Sequence, residues 1–295
     1  MKLLMTGATG FIGSRVLEKI ISLYGADSVA ALSSGTVPGV RTIPANGYSF
    51  GMDYLENNGC RDVDTVLHLG AFIPKSAADA NNAERTDENI ANTRALLAAS
   101  LPELKHFVYI STADVYSASA GTITEESPTE PETLYGLSKL KCEELVSRHC
   151  TEKNIDCTIL RLGHVYGEGE EKYKKVMPVM IKNAINGKNL CIYGTGQAGR
   201  TYIYIDDAVS AIVNALSLNG QCVINIAGDE VITVAQLAEK IARLSENRVH
   251  IEYVSSQATE RSYIYDNSKM KAMLLRGLTP FDEGLRREYE HMKNI

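Results

Sequence analysis

Residues Thr6-Gly7-Ala8-Thr9-Gly10-Phe11-Ile12-Gly13 follow a short apolar run, 2–6, and open an amphipathic one, 11–23. A strand, a glycine-rich turn and a helix in that order is the context that a dinucleotide fingerprint requires. Gly7 and Gly10 let the backbone approach a pyrophosphate, whose charge then meets the amide groups at the helix start. Gly13 permits close packing of helix on sheet. Any tight strand–helix turn favours glycine, so the pattern takes its meaning from what surrounds it. That surrounding is alternation. Strand candidates recur at 28–32, 40–43, 65–69, 106–111 and 157–162, with helix candidates at 87–99 and 134–153. Strand and helix taking turns predicts an α/β fold, a doubly wound, Rossmann-like parallel sheet with helices on both faces. Ligands on such sheets sit at the carboxyl ends of the strands, where the glycine turn, Ser111-Thr112 and Gly163-His164 all fall.

From about residue 168 the pattern changes to Lys/Glu-rich helices with short strands, and 222–226 reads as one more buried strand. The expected division is a dinucleotide-binding domain over 1–167, completed by about 200–227. A smaller, interleaved substrate region would comprise 168–199 and 228–295. A chain of 295 residues is long enough to bury a full core. Its net charge of −6, with Lys and Arg scattered, argues against nucleic acid or an anionic membrane surface as partner. No run approaches the roughly 18 apolar residues of a membrane span, and Thr6 and Gly7 break the opening apolar run too early for a signal peptide. The six cysteines (60, 142, 150, 157, 191 and 222) show neither Cys-x-x-Cys spacing nor clustering with histidine. Reduced, mostly buried thiols in a cytoplasmic protein are expected, and no metal site.

Chemistry enters with Leu134-Tyr135-Gly136-Leu137-Ser138-Lys139. Positions i and i+4 share one helix face, so the Tyr135 phenol and the Lys139 ammonium can point into one pocket. A free phenol ionises near pH ~10, and a nearby cation favours its charged form. Such a pair can exchange a proton with an alcohol or a ketone near neutral pH. In isolation the two would read as surface residues. Pro128 and Pro131, however, mark a loop entering this helix, consistent with its first turn facing a cleft. Thr112 adds a third group, a hydroxyl, or else only a turn-forming one. With a nicotinamide dinucleotide on the glycine turn, these groups point to redox chemistry at a carbinol carbon.

The motifs occur in a specific succession. After the glycine turn come Asp64-Thr65-Val66-Leu67-His68-Leu69-Gly70-Ala71, Asn89, Ser111-Thr112 with Val115-Tyr116, and the Tyr135–Lys139 pair. Arg161-Leu162-Gly163-His164-Val165-Tyr166-Gly167 and Arg200-Thr201-Tyr202-Ile203-Tyr204-Ile205-Asp206-Asp207 follow. In this order, over nearly the whole chain, the sequence resembles an extended short-chain dehydrogenase/reductase of the nucleotide-sugar epimerase, dehydratase and reductase group. The resemblance implies Tyr135 as general acid/base, Lys139 on the nicotinamide ribose while lowering the phenol pKa, and Thr112 on the sugar oxygen that changes oxidation state. It implies a cofactor groove lined by Gly7, Thr9, Gly10, Phe11, Ile12, Gly13, Leu69, Gly70, Ala71 and Ser111. It also implies that Arg200 holds the substrate diphosphate, with Arg261 helping, a task suited to a bidentate fork. A surface salt bridge is the alternative for Arg200.

The sequence makes four departures from the group's pattern. Ser33 and Ser34 stand where an acidic residue often holds the adenosine ribose. Without that acid a 2′-phosphate is not repelled, so NADP(H) is expected slightly ahead of NAD(H), with Ser33, Ser34 and the Gly35 amide as donors. Arg41 could reach back from the next strand. Ala113-Asp114 replaces the Asp-Glu of the dehydratases, which argues against dehydration. Thr201 stands where aspartate is usual, and His164 where asparagine is usual. His164 either reads the substrate by hydrogen bonds or is a packed core histidine. The resemblance implies a nucleotide-activated sugar as substrate and hydride exchange at a sugar carbon, C4, by an epimerase or an NADPH-dependent 4-ketoreductase. A non-catalytic cofactor sensor is a third reading, opposed by the retention of both Tyr135 and Lys139. A homodimer through helices 87–99 and 134–153 is a family expectation.

Overall fold

The computed structural model describes residues 1–76, 78–117, 121–246, 248–256 and 260–295. The first strands are β1 (Leu3–Thr6), β2 (Val29–Ser33), β3 (Arg41–Pro44), β4 (Thr65–His68), β5 (His106–Thr112), β6 (Thr122–Ile123) and β7 (Asp156–Leu162). Then come β8 (His164–Tyr166), β9 (Leu190–Tyr193), β10 (Gly199–Tyr204), β11 (Gln221–Ile226), β12 (Val231–Thr233), β13 (Ile251–Val254) and β14 (Ile264–Tyr265). The helices are α1 (Phe11–Tyr24), α2 (Ala83–Ala98), α3 (Leu134–Lys153) and α4 (Val176–Ile185). They continue with α5 (Ile205–Ala215), α6 (Val234–Leu244), α7 (Ser268–Met273) and α8 (Phe281–Lys293).

Seven strands form one sheet in the order β11-β7-β5-β4-β1-β2-β3, and the pairings from β7 to β3 are parallel. Strands β1, β4 and β5 are buried at every position, as expected of a sheet covered on both faces. The strand order reverses between β1 and β4, which opens the crevice where ligands bind in such sheets. Register sets the floor of that crevice: Thr6 pairs with Leu32 on one side and His68 on the other. The predicted strands recur within one residue. Helix α2 begins at Ala83 rather than 87, because the Asn82 side chain accepts from the Arg85 amide and caps it there. Helix α3 has its predicted bounds. Thr133 caps its start, and Asn154 ends it in the left-handed conformation (φ 54°).

The chain packs as two compact units. The first comprises Met1–Ser117, Pro128–Leu162 and Val209–Ile224; the second comprises Ala118–Ser127, Gly163–Ala208 and Asn225–Ile295. Residues 121–127, 163–167, 200–208 and 225–227, read from the sequence as part of the dinucleotide-binding domain, thus belong to the second unit. The reason is pairing. Strand β8 joins β10 through His164 and Tyr202, and β10 joins β12 through Arg200 and Ile232, in a separate three-stranded sheet. The second unit also holds two parallel pairs, β9 with β13 and β6 with β14. Among the described residues no helix is long and apolar enough to cross a membrane.

Candidate active site

The glycine turn is a backbone cradle. Gly7 adopts φ +72°, and a Cβ there would lie 2.7 Å from the Gly70 nitrogen and 2.8 Å from the Leu69 carbonyl carbon. At Gly13 a Cβ would lie 2.0 Å from the Gly7 oxygen. Neither position tolerates a side chain without moving main chain. The Gly10 amide donates to the Gly7 carbonyl at 3.0 Å, closing the turn over Ala8 and Thr9. Gly10 caps α1 with no side-chain hydrogen bond, and the first turn, Phe11, Ile12 and Gly13 included, carries no acidic residue. This helix start suits an anion, so the turn fits a dinucleotide pyrophosphate. Leu69 and Gly70 face the turn, with Ala71 next in the chain, and the Gly70 amide donates to Thr6 Oγ1 at 2.8 Å.

At the end of β5 the structure brings Thr112 and Tyr135 together, while Lys139, one helical turn on, reaches the preceding residues of the strand. The Thr112 hydroxyl stands beside the Tyr135 phenol, whose pKa it lowers, and accepts from the Asp114 amide at 3.2 Å. Gly136 is required beside it, since a Cβ there would lie 2.3 Å from the Asp114 carbonyl oxygen. Lys139 is buried. Its ammonium donates to the Ile110 carbonyl at 2.6 Å and lies 4.3 Å from the Tyr109 ring centroid. Burial lowers the Lys139 pKa to about 8. One expectation is overturned: the Tyr135 phenol is held above its ordinary pKa, not below. Burial and then the negative charge of Asp114 push it up, and the Thr112 hydrogen bond only partly opposes them.

Ser111, expected at the cofactor, is buried and gives its hydroxyl proton to Glu143 Oε1 at 2.5 Å. Glu143 also receives a fork from Arg161, with Nη2 to Oε2 at 2.7 Å and Nε to Oε1 at 3.1 Å. The Arg161 guanidinium lies 4.7 Å from the Tyr116 ring centroid. Sequence reasoning missed this ion pair. Glu143 stands one helical turn beyond Lys139 on the same face, a spacing that could have flagged it.

At the carboxyl end of β2, Ser33 Oγ accepts from the Gly35 amide at 3.3 Å, and Ser34 is exposed. Arg41 does not reach back to them. It pairs with Ala30, three residues toward the amino end of β2, and its guanidinium donates to the carbonyls of Asn58 and Gly59 at 3.2 and 2.9 Å. The parallel register puts the start of β3 beside the amino end of β2, whereas Ser33 lies at the carboxyl end opposite Pro44.

Within the second unit His164, Arg200 and Arg261 converge. Arg200 Nη1 donates to the carbonyls of Gly199 at 2.8 Å and Arg261 at 2.5 Å, and the guanidinium lies 4.6 Å from the Tyr263 ring centroid. The His164 ring lies 5.8 Å from that of Tyr202 and 6.1 Å from that of Tyr263, and its Nδ1 is buried without a partner. Burial, then the charges of Arg200 and Lys175, lower its pKa to about 3, so the imidazole is neutral. Among the described residues no group of three or more His, Cys, Asp or Glu side chains is placed to hold a metal ion.

Comparison with known proteins places these features in a lineage. The sequence profile of the NAD dependent epimerase/dehydratase family matches residues 3–227. A dTDP-glucose 4,6-dehydratase of Streptomyces griseus is 30% identical, over 92% of this chain and 88% of its own. The UDP-glucose 4-epimerase of Thermotoga maritima, solved with UDP-glucose, superposes with a TM-score of 0.86 at 26% identity, over 100% of this chain and 99% of its own. A UDP-glucuronic acid 4-epimerase of Bacillus cereus, solved with NAD, superposes with a TM-score of 0.81 at 25% identity, with the same coverage.

Proposed function

Because the chain belongs to the NAD-dependent epimerase/dehydratase family, we propose that it is a nucleotide-sugar 4-epimerase. The observation that carries this reading is the hydroxyl pair of Thr112 and Tyr135 beside a buried Lys139, in the same unit as the glycine cradle. A bound nicotinamide dinucleotide supplies the hydride acceptor and donor. The residues do the rest. Gly7, Gly10 and Gly13 hold the pyrophosphate, with Leu69, Gly70 and Ala71 as the wall. Lys139, positively charged below about pH 8, serves the ribose. Thr112 holds the sugar hydroxyl, and Tyr135 removes its proton as the carbon is oxidised and returns it after the keto-sugar has turned. Arg200, with Arg261 beside it, serves the diphosphate, and the neutral His164 offers Nδ1 as an acceptor to the sugar. Ala113, buried where dehydration needs an acid, supports epimerisation over elimination.

One observation favours a second reading. A phenol held above its ordinary pKa starts as a proton donor, which suits reduction of a 4-keto-sugar. With no acid at Ser33 and Arg41 committed elsewhere, the adenosine end admits NAD(H) and NADP(H) alike, without a built phosphate clamp. The protein acts on a sugar nucleotide as the dimer or the monomer it forms in solution. A panel of UDP-, dTDP-, GDP- and CDP-sugars with enzyme and trace NAD, and of the corresponding 4-keto-sugars with NADPH, read by carbohydrate NMR, decides. An epimerase interconverts two 4-epimers without net cofactor consumption. A ketoreductase consumes one NADPH per turnover. Binding of a dinucleotide with no turnover of any sugar nucleotide would defeat both.

A further inference from the structure

A continuous line of hydrogen bonds crosses the interior of the first unit, and its proton directions can be assigned. Ser138 donates its hydroxyl proton to the Tyr135 carbonyl at 2.8 Å, so its oxygen accepts from Asn89 Nδ2 at 3.3 Å. Asn89 also clamps Phe72, accepting from its amide at 2.7 Å and donating to its carbonyl at 3.3 Å. Thr93 gives its proton to the Asn89 carbonyl at 2.8 Å, which leaves Thr93 Oγ1 to accept from His68 Nε2 at 3.1 Å. His68 therefore carries its hydrogen on Nε2. Its Nδ1 accepts from the Thr6 hydroxyl at 2.7 Å, and Thr6 Oγ1 accepts from the Gly70 amide. His68, Thr93 and Asn89 are all buried. Burial and then the Lys139 charge lower the His68 pKa to about 3, so this tautomer persists over the working pH range.

We infer that His68 is a positioning residue that joins the wall of the dinucleotide groove, Gly70 to Phe72, to the first turn of the helix bearing Tyr135 and Lys139. Every group along the line uses its donors and acceptors in one sense, so a displacement at either end disturbs its neighbour. A histidine packed for its volume alone would need only the aromatic contacts that His68 also makes, 5.5 Å from the Tyr109 ring and 6.3 Å from that of Phe107. The inference rests on the catalytic reading of Tyr135.

The test uses Thr93→Val, close in shape but unable to relay, with His68→Leu and His68→Gln, whose amide can donate where Nε2 does. Thr93→Val and His68→Leu should lower kcat about tenfold or more, since a small misplacement of a reacting group is costly, and His68→Leu should also weaken dinucleotide binding severalfold. His68→Gln should recover part of the loss. Nitrogen-15 NMR of the wild type should show His68 as the Nε2–H tautomer with no titration from pH 5.5 to 9. Wild-type kcat in Thr93→Val, or a His68 that titrates near pH 6.5, would overturn the inference. Should Tyr135→Phe leave turnover intact, the catalytic reading fails instead, and the tautomer measurement still decides the relay.

Discussion

The two compact units treat their buried polar groups differently. In the first, Ser111, Glu143, Arg161, His68, Thr93, Asn89 and Lys139 all end on partners. Among the described residues, the buried side-chain oxygens and nitrogens without partners are His164 Nδ1, Glu170 Oε2 and both oxygens of Glu288, and all lie in the second. An unpaired buried polar group costs about 1–3 kcal/mol. The first unit's site is therefore complete from its own residues, with helix α3 held in place before any ligand arrives. The second leaves hydrogen-bonding capacity unmet at His164, and at Glu288 a proton answers it.

The largest expected effect tests whether the first unit is organised in this way. Tyr135→Phe should cut turnover by about two to four orders of magnitude while dinucleotide Kd, measured by fluorescence titration, hardly moves. Loss of dinucleotide binding in that variant would mean that the cradle depends on the site, against the contrast drawn here.

Arg200 tests the second unit. Its Nη1 already holds the Gly199 and Arg261 carbonyls, so Arg200→Ala removes a strap as well as a charge. If it serves the diphosphate, KM for the sugar nucleotide should rise about one to two orders of magnitude, in line with a charge-assisted hydrogen bond of about 1.5–3 kcal/mol. A fall in melting temperature with KM unchanged would leave Arg200 only the strap.

Glu288 gives a smaller effect with a definite pH signature. Burial, then the charges of Glu170, Glu168 and Glu171, raise its pKa from 4.5 to about 9, and Lys175 opposes them only in part. The folded protein thus keeps this proton over a range where the unfolded chain has lost it. Its contribution to stability is complete below about pH 4.5 and fades as pH rises toward 9. Glu288→Gln keeps the shape without the ionisation. Thermal melts at pH 5, 7 and 8.5 should show the variant gaining on wild type at each step, and parallel melting curves would contradict the buried, protonated carboxyl.

The smallest effect is expected at the adenosine end. Ser33→Asp should shift preference toward NADH by weakening NADPH, measured as the ratio of the two Kd values. A wild type that already binds NADH tenfold better, with little change in the mutant, would show that Ser33 does not face the 2′ position.

Much of the first unit was legible because its signals are local. The apolar runs before Thr6 and before Thr112, the glycine spacing and the i, i+4 pair of Tyr135 and Lys139 each lie within a few residues, and the strands and α3 follow from them. The boundary of the second unit was not legible. It turns on β8 pairing with β10 rather than extending the large sheet, a choice between partners tens of residues apart that no periodicity encodes.

The sequence by itself determined the doubly wound α/β architecture, the glycine cradle and the residue types that carry the chemistry, because turn geometry and side-chain period are properties of neighbouring residues. Only the tertiary structure decided which charge faces which group. Arg41, near Ser33 in sequence, is carried by parallel register toward the opposite, amino end of the neighbouring strand. Ser111 turns to a glutamate thirty-two residues away. Lys139 sits on a backbone carbonyl and a ring, while Asp114 and burial set the state of Tyr135. Electrostatic sign depends on distance and desolvation, and both exist only once residues remote in sequence have packed together.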